Sequence, residues 1–564
     1  MNPENLPASV IGVSLTVKFM IYHGGLRRMS CLIKVLDCTL RDGAYITNSK
    51  FGDAAIRGII KKMQQARIDV IEVGWLKNSE HEEGSSYFHV PSDIEPYINK
   101  KDSKAIYTVM IDWDRYDTDI LPVYDGKSID AVRVVFPHGK HREGIEVGRK
   151  IREKGYKVMF QAANTLAYSD EDLIDLVSCM NEFKPLSLSV VDTFGAMFFD
   201  DLERIVKIVN DKLDPSVDIG FHAHNNQQLA FALCIHFIDL LKDSERSIMV
   251  DSSLSGMGRG AGNATTELVT SFINRKHHGN YDLNAVMDAI DIYMTGYHEK
   301  YEWGYSTKYF IAGMYQCHVN NIAYLLNNHR TNARDMRSII ESLSVSERRK
   351  YDYDLLENKY LEHQSRIVDD TAAIDELQKS FSGRKVLLIA PGKSVETEKG
   401  KIHKYIDENK PVVIAVNALN KNYKYDYAIF INSARYEYAK NAHPDAMKNT
   451  RKILMSNIKT EAGDNEVILN FNTVIKRGWE HFDNSVIVAL RLLNKMEVEN
   501  VIIAGFDGFK MRYNESYADA NLPTLNPGNK WDELNEEIKD IYQDFKKSVE
   551  GRMNIEFISK SYFE

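Results

Sequence analysis

The segment IKVLDCTLRDG, residues 33–43, starts as an apolar run and ends in a cluster of charges. Its first half has the β-branched and apolar composition that is typical of a buried strand. Asp37, Arg41 and Asp42 follow closely. A turn from strand to helix often carries Asp and Gly for turning and capping, so this segment alone indicates either a simple turn or a functional site.

The same pattern recurs along the next part of the chain. Amphipathic segments such as FGDAAIRGIIKKMQQARI (51–68) separate it from further short β-rich runs. These runs are DVIEVGW (69–75), AIYTVMI (105–111), DAVRVVF (130–136), YKVMFQ (156–161), LSLSVVD (186–192), VDIGFH (217–222) and SIMVDSS (247–253). Eight strands alternating with helices over about 250 residues predict an α/β protein with a (β/α)8 TIM barrel at 31–275, rather than a doubly wound sheet.

Polar residues recur where the predicted strands end. They are Asp37, Arg41 and Asp42 after the first strand, Glu72 in the second, Gln161 in the fifth, Asp192 in the sixth, His222 and His224 in the seventh and Asp251 in the eighth. Barrel enzymes keep their chemistry at the carboxyl-terminal rim. The pattern therefore predicts an enzyme.

The sequence FHAHNN places His222 and His224 two residues apart at a strand end. Residues at this spacing in extended chain point to the same side, so both imidazoles can meet one ion. Two polar residues on a solvated face are the alternative. With Asp42 at the same rim, the set suits a divalent cation with open positions. Without thiolates we expect Mn²⁺ first, with Mg²⁺ or Co²⁺ as alternatives.

The glycine-rich segment GMGRGAGN (256–263) follows the eighth strand. It is poorly placed for a dinucleotide fingerprint, because a barrel supplies no suitable βαβ crossover. We expect a tight backbone wrap that brings Asn263 to the metal region. A flexible turn is the alternative.

The rest of the chain divides into four further parts. We predict an N-terminal extension at 1–30, a helical extension at 276–345, a linker at 346–382 and a Rossmann-like α/β domain at 383–564. The last part contains the strand-like runs KVLLIA (385–390), PVVIAVN (411–417), YDYAIFIN (425–432), KILMS (452–456) and NVIIAGFDG (500–508).

The Rossmann-like domain offers a second candidate site, of phosphate- or nucleotide-binding type. It comprises Gly392, Lys393, Ser394 and Asp507, at turns where backbone amides could bind an anion. The spacing is not that of a Walker A motif, and an inert domain is the alternative. The segment IIAGFDGF (502–509) resembles bacterial sialyltransferase-like domains, which implies a nucleotide or nucleotide-sugar ligand and a role in surface-polysaccharide precursor synthesis.

Bulk composition excludes several classes of protein. The chain has 564 residues, 44% of them hydrophobic and 27% charged, and a formal net charge of −9 without a Lys/Arg block, so we expect no nucleic-acid partner. Five scattered cysteines without CxxC spacing favour a reducing compartment. The apolar run near the N-terminus is too short to span a bilayer. We expect a cytoplasmic homo-oligomer without a membrane span.

Five motifs together resemble one family. LDCTLRDG (36–43), IEVG (71–74), VVDTFGAM (190–197), FHAHNN (221–226) and SSLSGMGRGAGNATTE (252–267) occur in the order found in the DRE-TIM metallolyases, the HMGL-like family of pyruvate-dependent metal aldolases and acyltransferases. The group most similar is that of the 4-hydroxy-2-oxovalerate aldolases, and the resemblance covers roughly residues 33–345. It implies that Asp42, His222 and His224 bind the metal, with Asn263 as a further ligand or near-ligand.

The resemblance also implies roles beyond the metal. Arg41 would bind and polarise the pyruvate enolate oxygen, and Glu72 would support the residues around the metal or orient the substrate. The motif VVDTFGAM (190–197) implies substrate binding by Asp192 and Thr193, and the motif SSLSGMGRGAGNATTE (252–267) implies the same role for Gly258. Tyr315, in IAGMY (311–315), matches a tyrosine near the aldolase substrate, with helix packing as the alternative. The sequence departs from the aldolases at Tyr45, where they carry an acid/base histidine. A phenol is a weak base at neutral pH but can donate a proton.

We therefore predict a metal-dependent carbon–carbon lyase that joins or separates pyruvate, as its enolate, and an aldehyde. One alternative is a Claisen-type acyltransferase that uses an acyl-CoA and a 2-oxo acid. Another is a non-catalytic scaffold that binds a nucleotide. The intact set of Arg41, Asp42, His222 and His224 favours the lyase.

Overall fold

The protein is described by a computed structural model that covers residues 31–98, 100–102, 104–329, 331–364, 366–458, 463, 465–479, 484–510, 513–523 and 531–564. The predicted extension at 1–30 lies outside these residues. The chain forms two compact units, Met1–Gly313 and Met314–Glu564.

The first unit is built on parallel strands that close into a ring. The strands are β1 (Ile33–Asp37), β2 (Val70–Leu76), β3 (Tyr87–Phe88), β4 (Ile106–Asp112), β5 (Ala131–Phe136), β6 (Lys157–Ala162), β7 (Ser187–Asp192), β8 (Asp218–Ala223) and β9 (Ile248–Ser252). Strand β1 pairs with both β2 and β9, which closes eight strands into a barrel, and β3 adds to β2 outside the ring. The predicted TIM barrel is confirmed.

Helices surround this barrel because each has one apolar face. Helix Asp53–Ala66, for example, buries Ile56, Ile59, Ile60 and Met63, at the spacing of one helical face. The α-helices of this part of the chain are Thr39–Asp42, Ala44–Thr47, Asp53–Ala66, His141–Glu153, Asp170–Phe183, Phe199–Lys212, Ala230–Leu241, Thr266–Lys276, Leu283–Ala289, Thr295–Lys300 and Thr307–Met314. Single 3-10 or π turns are Pro91–Asp93, Glu95–Tyr97, Thr118–Ile120, Thr165–Ala167, Leu254–Gly256 and Ile290–Met294.

The barrel interior changes from apolar to polar along the strands. Its apolar layer is a cluster of Leu36, Cys38, Val70, Ala131, Met159 and Met249. The strand period of two places the residue two positions further on at the same side of the strand. Those residues are Glu72, Arg133, Gln161 and Asp251, all buried. The layer toward the carboxyl ends of the strands is thus polar and enclosed.

The second unit contains a parallel sheet of seven strands. They are β10 (Val386–Ile389), β11 (Val412–Val416), β12 (Tyr427–Phe430), β13 (Arg451–Met455), β14 (Glu466–Leu469), β15 (Asn500–Ala504) and β16 (Asn554–Phe557), in the order β14-β13-β12-β11-β10-β15-β16. Val386 and Leu388 belong to one apolar cluster, and Leu387 and Ile389 to another. Both faces of the sheet are therefore covered, which confirms a separate α/β region.

The helices of the second unit precede and flank its sheet. They are Val319–His329, Ala333–Glu341, Val345–Arg348, Tyr353–Gln364, Thr371–Phe381, Ser394–Thr397, Lys399–Asn409, Ser433–Ala442, Pro444–Asn449, Ser485–Lys495, Tyr513–Ser516 and Trp531–Ser548, with a 3-10 turn at Phe471–Thr473. The stretch 346–382, predicted as a linker, thus includes two helices of more than ten residues. The other predicted boundaries stay predictions. Within the part of the chain that the structure describes, no helix has the length and apolarity needed to cross a membrane.

Candidate metal centre at the barrel mouth

Three predicted ligands meet at the carboxyl-terminal end of the barrel. Asp42 lies in the short helix that follows β1, His222 lies in β8, and His224 comes just after that strand. One ligand atom from each residue lies within 4.8 Å of the others. Asp42 and His222 are buried, with 1% and 3% of their surface exposed. Two imidazoles and a carboxylate in this arrangement can hold one divalent cation.

Hydrogen bonds fix the tautomers of the two histidines. His222 Nδ1 lies 3.1 Å from Asp251 Oδ2, and His224 Nδ1 lies 3.0 Å from the carbonyl oxygen of Asp192. Both oxygens accept, so Nδ1 carries the proton in each ring and the lone pair of Nε2 faces the other ligands. Burial lowers the pKa of His222, which keeps its ring in the neutral form that a metal requires.

The glycine-rich segment delivers Asn263 to this site. Backbone pairing joins His224 to Asn263, and the Asn225 amide donates to the Gly262 carbonyl at 2.7 Å. Asn263 Nδ2 donates to Asp42 Oδ2 at 2.6 Å. Its Oδ1 is buried and has no hydrogen-bond partner among the described residues. A buried oxygen left in this state needs a partner, and a cation bound by Asp42 would supply one.

Gly258 packs directly on the same pair of side chains. A Cβ atom at this position would lie 2.4 Å from Asn263 Nδ2 and 2.7 Å from Asp42 Oδ2. Only glycine fits there without displacing Asp42 or Asn263. The contact shapes the metal centre, and substrate binding by Gly258 stays a prediction.

Arg41 lies between two carboxylates beside the centre. Its Nε donates to Glu72 Oε2 at 2.7 Å, and its Nη1 donates to Asp42 Oδ1 at 2.5 Å. Burial by itself would raise the pKa of Asp42, but the Arg41 guanidinium holds that pKa well below its usual range. Asp42 is therefore anionic, as a metal ligand must be.

Arg133 extends these ion pairs across the barrel. Its Nη2 lies 2.5 Å from Asp251 Oδ2, and its Nη1 lies 3.0 Å from Glu72 Oε2, a charge contact without hydrogen-bond geometry. Gln161 Nε2 donates to the same Asp251 oxygen at 3.2 Å. The result is a buried chain of alternating charge that runs through Asp42, Arg41, Glu72, Arg133 and Asp251, and the neutral ring of His222 bonds to its Asp251 end.

Arg133 was not among the predicted site residues. The sequence feature that could have identified it is a single Arg inside the otherwise apolar run AVRVVF (131–136). With strand period two, it shares the inward side with Ala131. A buried guanidinium in an otherwise apolar strand is rare unless carboxylates pair with it across the barrel.

Tyr45 lies beside the centre with its ring between two neighbours. The Arg259 guanidinium carbon lies 3.8 Å from the ring centroid, and the Trp75 ring contacts it edge-on at 5.9 Å. Desolvation raises the pKa of Tyr45 to about 12, although 39% of the residue is exposed. The phenol is therefore protonated at neutral pH and can act as a proton donor.

Two aspartates at the rim hold loops in place. Asp37 accepts from the Thr39 amide at 3.0 Å and from Thr266 Oγ1 at 2.7 Å, which ties the first loop to helix Thr266–Lys276. Asp192 accepts from two backbone amides, Ala196 at 2.8 Å and Met197 at 3.1 Å.

These contacts bear on the predicted substrate-binding pair Asp192 and Thr193. Both carboxylate oxygens of Asp192 are already used by the backbone. Thr193 Oγ1 accepts from the Asn164 amide at 2.6 Å, which leaves its hydroxyl proton for another acceptor. Substrate binding by the two residues stays a prediction.

The remaining predicted residues lie in the second unit. The Tyr315 hydroxyl accepts from Arg337 Nε at 2.9 Å. Its role near the barrel substrate stays a prediction.

The predicted phosphate site is closed by the protein's own groups. The Ser394 amide donates to Asp507 Oδ2 at 2.7 Å, the Ser394 hydroxyl also donates to Asp507, and the Gly392 amide donates to the Gly505 carbonyl at 2.9 Å. The backbone amides of Ser394 and Gly392 therefore already donate hydrogen bonds within the protein. Anion binding at Gly392, Lys393, Ser394 and Asp507 stays a prediction that no contact here supports.

A second cluster of metal-ligating types lies on the barrel's outer helices. It comprises His141, Asp175 and Cys179. Arg142 donates to Cys179 Sγ at 2.8 Å and to Asp175 Oδ1 at 2.6 Å. The guanidinium already supplies the positive charge, so this cluster is a poor cation site.

A (β/α)8 barrel with a His₂Asp cluster and a buried arginine at its catalytic face defines the class of metal-centred barrel proteins. Residues 141–292 match the model of the HMGL-like family. This match confirms that the barrel unit resembles the HMGL-like family, the DRE-TIM metallolyases, as its motifs indicate.

Similar proteins include the 4-hydroxy-2-oxovalerate aldolase of Thermomicrobium roseum, 26% identical over 262 residues, which cover 46% of this chain and 71% of the relative. The oxaloacetate decarboxylase of Mycobacterium tuberculosis is 26% identical over 271 residues, which cover 46% and 76%. The solved N-terminal domain of a candidate aldolase from Bacteroides vulgatus is 27% identical with a TM-score of 0.45, covering 51% of this chain and 95% of that domain.

Proposed function

We propose that the barrel unit is a divalent-metal-dependent aldolase, a carbon–carbon lyase that forms or cleaves the bond between pyruvate, as its enolate, and an aldehyde. The observation that carries the proposal is the meeting of Asp42, His222 and His224 within 4.8 Å, with Arg41 bonded to Asp42. The relatives named as 4-hydroxy-2-oxovalerate aldolase support the reaction class. We propose a sugar aldehyde as the second substrate, because the resemblance of IIAGFDGF (502–509) implies a role in surface-polysaccharide precursor synthesis.

The residues present fit a divalent ion. Asp42, His222 and His224 would hold it, and the unpartnered Oδ1 of Asn263 fits as a further oxygen ligand. When bound, the ion polarises the carbonyl of the 2-oxo acid as a Lewis acid. Mixed imidazole and oxygen ligands without thiolate suit Mn²⁺, with Mg²⁺ or Co²⁺ as alternatives.

Arg41 stabilises the charge that develops on the enolate oxygen. Its Nε and Nη1 are committed to Glu72 and Asp42, and its Nη2 has no protein partner in the described part of the chain. Because two carboxylates fix the guanidinium plane, Nη2 is oriented before substrate arrives. A guanidinium stays protonated at any physiological pH and gives a planar set of donors that a lysine lacks.

Tyr45 acts as the proton donor. When enolate C3 attacks the aldehyde carbon, the new C–C bond forms and the aldehyde oxygen becomes an alkoxide. The protonated Tyr45 hydroxyl then gives its proton to that oxygen. Pyruvate loses its C3 proton to solvent when the enolate forms, and solvent reprotonates Tyr45 after its proton transfer. Cleavage breaks the same C–C bond and runs these proton transfers in reverse.

Tyr45 also favours a second candidate, decarboxylation of oxaloacetate. In that reaction the bond from C3 to the departing carboxylate breaks, CO₂ leaves, and the electron pair forms the pyruvate enolate. No base is needed, and the Tyr45 hydroxyl can protonate C3. The specific observation is that desolvation raises the pKa of Tyr45 to about 12, which keeps it a donor. A relative named oxaloacetate decarboxylase supports this candidate.

Pyruvate formation separates the two candidates. The full chain is incubated with 4-hydroxy-2-oxovalerate or oxaloacetate, with Mn²⁺ or EDTA, and pyruvate is measured with lactate dehydrogenase against a protein-free Mn²⁺ control. In the reverse direction, pyruvate is offered acetaldehyde, glyceraldehyde or an aldose, and new C–C bonds are detected by mass spectrometry. Cleavage or condensation with an aldehyde supports the aldolase, and pyruvate from oxaloacetate alone supports the decarboxylase. Neither reaction above the metal control would contradict both.

A further inference from the structure

A polar cleft lies at the carboxyl-terminal edge of the second unit's sheet. Strands β11–β14 lie to one side of β10, whereas β15 and β16 lie to the other, so the strand order reverses at β10. A crevice outside the carboxyl ends of the strands at such a reversal is the usual ligand position of open α/β sheets. Two adjoining cavities of about 120 and 70 Å³ occupy it and share Asn417, Arg435, Asn484 and Tyr517.

Arg435 is the unusual residue of this cleft. It lies in the first turn of helix Ser433–Ala442 and lines both cavities. Only 9% of its surface is exposed. Its guanidinium carbon lies 4.9 Å from the Tyr517 ring centroid, and its Nη1 is buried without a hydrogen-bond partner in the described residues. A buried guanidinium without an anion is costly, so this position favours an anionic partner.

Asparagine side chains provide part of the polar lining, which also includes the carboxylate of Asp335. Asn457 Nδ2 donates to the Ile431 carbonyl at 2.9 Å, but its Oδ1 is buried and has no partner among the described residues. Asn417 Oδ1 accepts from the Ile431 amide at 2.8 Å. Amides both donate and accept, so they suit hydroxyls or the edge of a polar ring.

Asp507 decides which part of the cleft can take the anion. Its carboxylate accepts from the Ser394 amide and hydroxyl, so negative charge already occupies the turn after β10. An incoming anion would be repelled there. Arg435 therefore marks the anion position.

We propose that this cleft binds a phosphate- or carboxylate-bearing small molecule with a hydroxylated or polar ring. The anionic group pairs with Arg435, and the ring contacts the asparagine side chains. This site is separate from the metal centre and does not depend on the function proposed for the barrel.

The test is isothermal titration of the full chain carrying Asp42→Ala, in EDTA, so that the barrel centre takes no part. CMP and glucose 1-phosphate are the phosphate probes, glucuronate is the carboxylate probe, and cytidine and glucose are their neutral counterparts. We expect at least one anionic probe to bind, and its neutral counterpart to bind about tenfold or more weakly. Binding of the phosphate probes alone would identify the anionic group as a phosphate, and binding of glucuronate alone would identify it as a carboxylate.

The decisive variant is Arg435→Gln in the same chain, which should weaken binding of that probe by about tenfold or more. Arg451→Gln is the matched control, because Arg451 is partly exposed and pairs with Glu376 at 2.6 Å. Circular dichroism and thermal unfolding establish that both variants fold. If no anionic probe binds at millimolar concentration, or if a folded Arg435→Gln chain binds as well as its parent, the proposal is wrong.

Discussion

Two buried arginines, one in each unit, have opposite surroundings. Arg133 is fully buried in the barrel and contacts two carboxylates, those of Glu72 and Asp251. Arg435 is 9% exposed at its sheet edge, and its Nη1 has no hydrogen-bond partner among the described residues. A buried charge that the protein neutralises itself serves to position other groups. A buried charge left without an anion indicates a ligand.

The largest effect should come from removing the metal ligand at the end of the barrel's charge chain. Asp42→Ala should abolish stoichiometric Mn²⁺ binding and lower pyruvate formation by about 10²–10³-fold, because several kcal/mol of charge stabilisation is lost. Mn²⁺ electron paramagnetic resonance and the coupled pyruvate assay measure the two effects. Asp112→Asn is the control, since Asp112 pairs with Lys77 at 3.2 Å on the same rim. An equal loss of Mn²⁺ binding and pyruvate formation in both variants would contradict the assignment of Asp42 as a metal ligand.

Replacing each arginine with methionine tests the comparison itself. Arg133→Met leaves the buried Asp251 without a cationic partner among the described residues, whereas Glu72 keeps Arg41, and should cost about 3–5 kcal/mol of unfolding free energy. Arg435→Met removes a charge that lacks an anion, so it should leave stability unchanged or raise it. Urea unfolding of both variants without added ligand gives the result. Similar destabilisation by the two substitutions would contradict the distinction.

Tyr45→Phe removes the proposed proton donor. Turnover should fall by about 10²-fold, the lower range for general acid catalysis, while Mn²⁺ affinity stays at the wild-type value. Because desolvation raises the pKa of Tyr45 to about 12, its hydroxyl keeps its proton throughout pH 6–9. The ratio of wild-type to variant turnover should therefore be flat over that range. A ratio that changes with a midpoint near pH 7 would show that another group supplies the proton.

Asp251→Asn should have the smallest effect, because it alters a residue that acts through His222. The His222 Nδ1 proton would lose its charged acceptor at 3.1 Å, and Mn²⁺ affinity should fall by about 10–100-fold. Titration with Mn²⁺ measures this change. Asp192→Asn would not produce the same effect at His224, because His224 bonds to the Asp192 backbone carbonyl, which the substitution keeps. Unchanged affinity would mean that Asp251 only balances the charge of Arg133.

Local patterns in the sequence predict much of the barrel. Strand runs, the His222–His224 spacing and Asp42 after β1 are all visible there, because strand period and rim position are short-range properties. The partners of Arg133 are not visible in the sequence, because Asp251, for example, lies 118 residues further along the chain. In the second unit, β14 and β16 were not predicted, since each has only four residues and begins with a polar residue.

The second unit also shows what a local sequence pattern leaves out. A turn with glycine and serine after β10 indicates an anion site, but Asp507, 113 residues away from Ser394, occupies its amide. That Arg435 Nη1 has no hydrogen-bond partner among the described residues depends on every neighbour that folding brings to the cleft. Pairings at this distance along the chain are set by tertiary structure, which one sequence does not reveal.

The most direct test of the central claim is hydrogen–deuterium exchange at C3 of pyruvate in D₂O, followed by NMR. Wild-type protein with Mn²⁺ should exchange the C3 protons faster than Mn²⁺ alone, and EDTA or Asp42→Ala should abolish the difference. That result would establish metal-dependent enolate formation at Asp42, His222 and His224 whatever the aldehyde is. Exchange no faster than in the protein-free solution, with Mn²⁺ bound, would contradict pyruvate enolate chemistry at this centre.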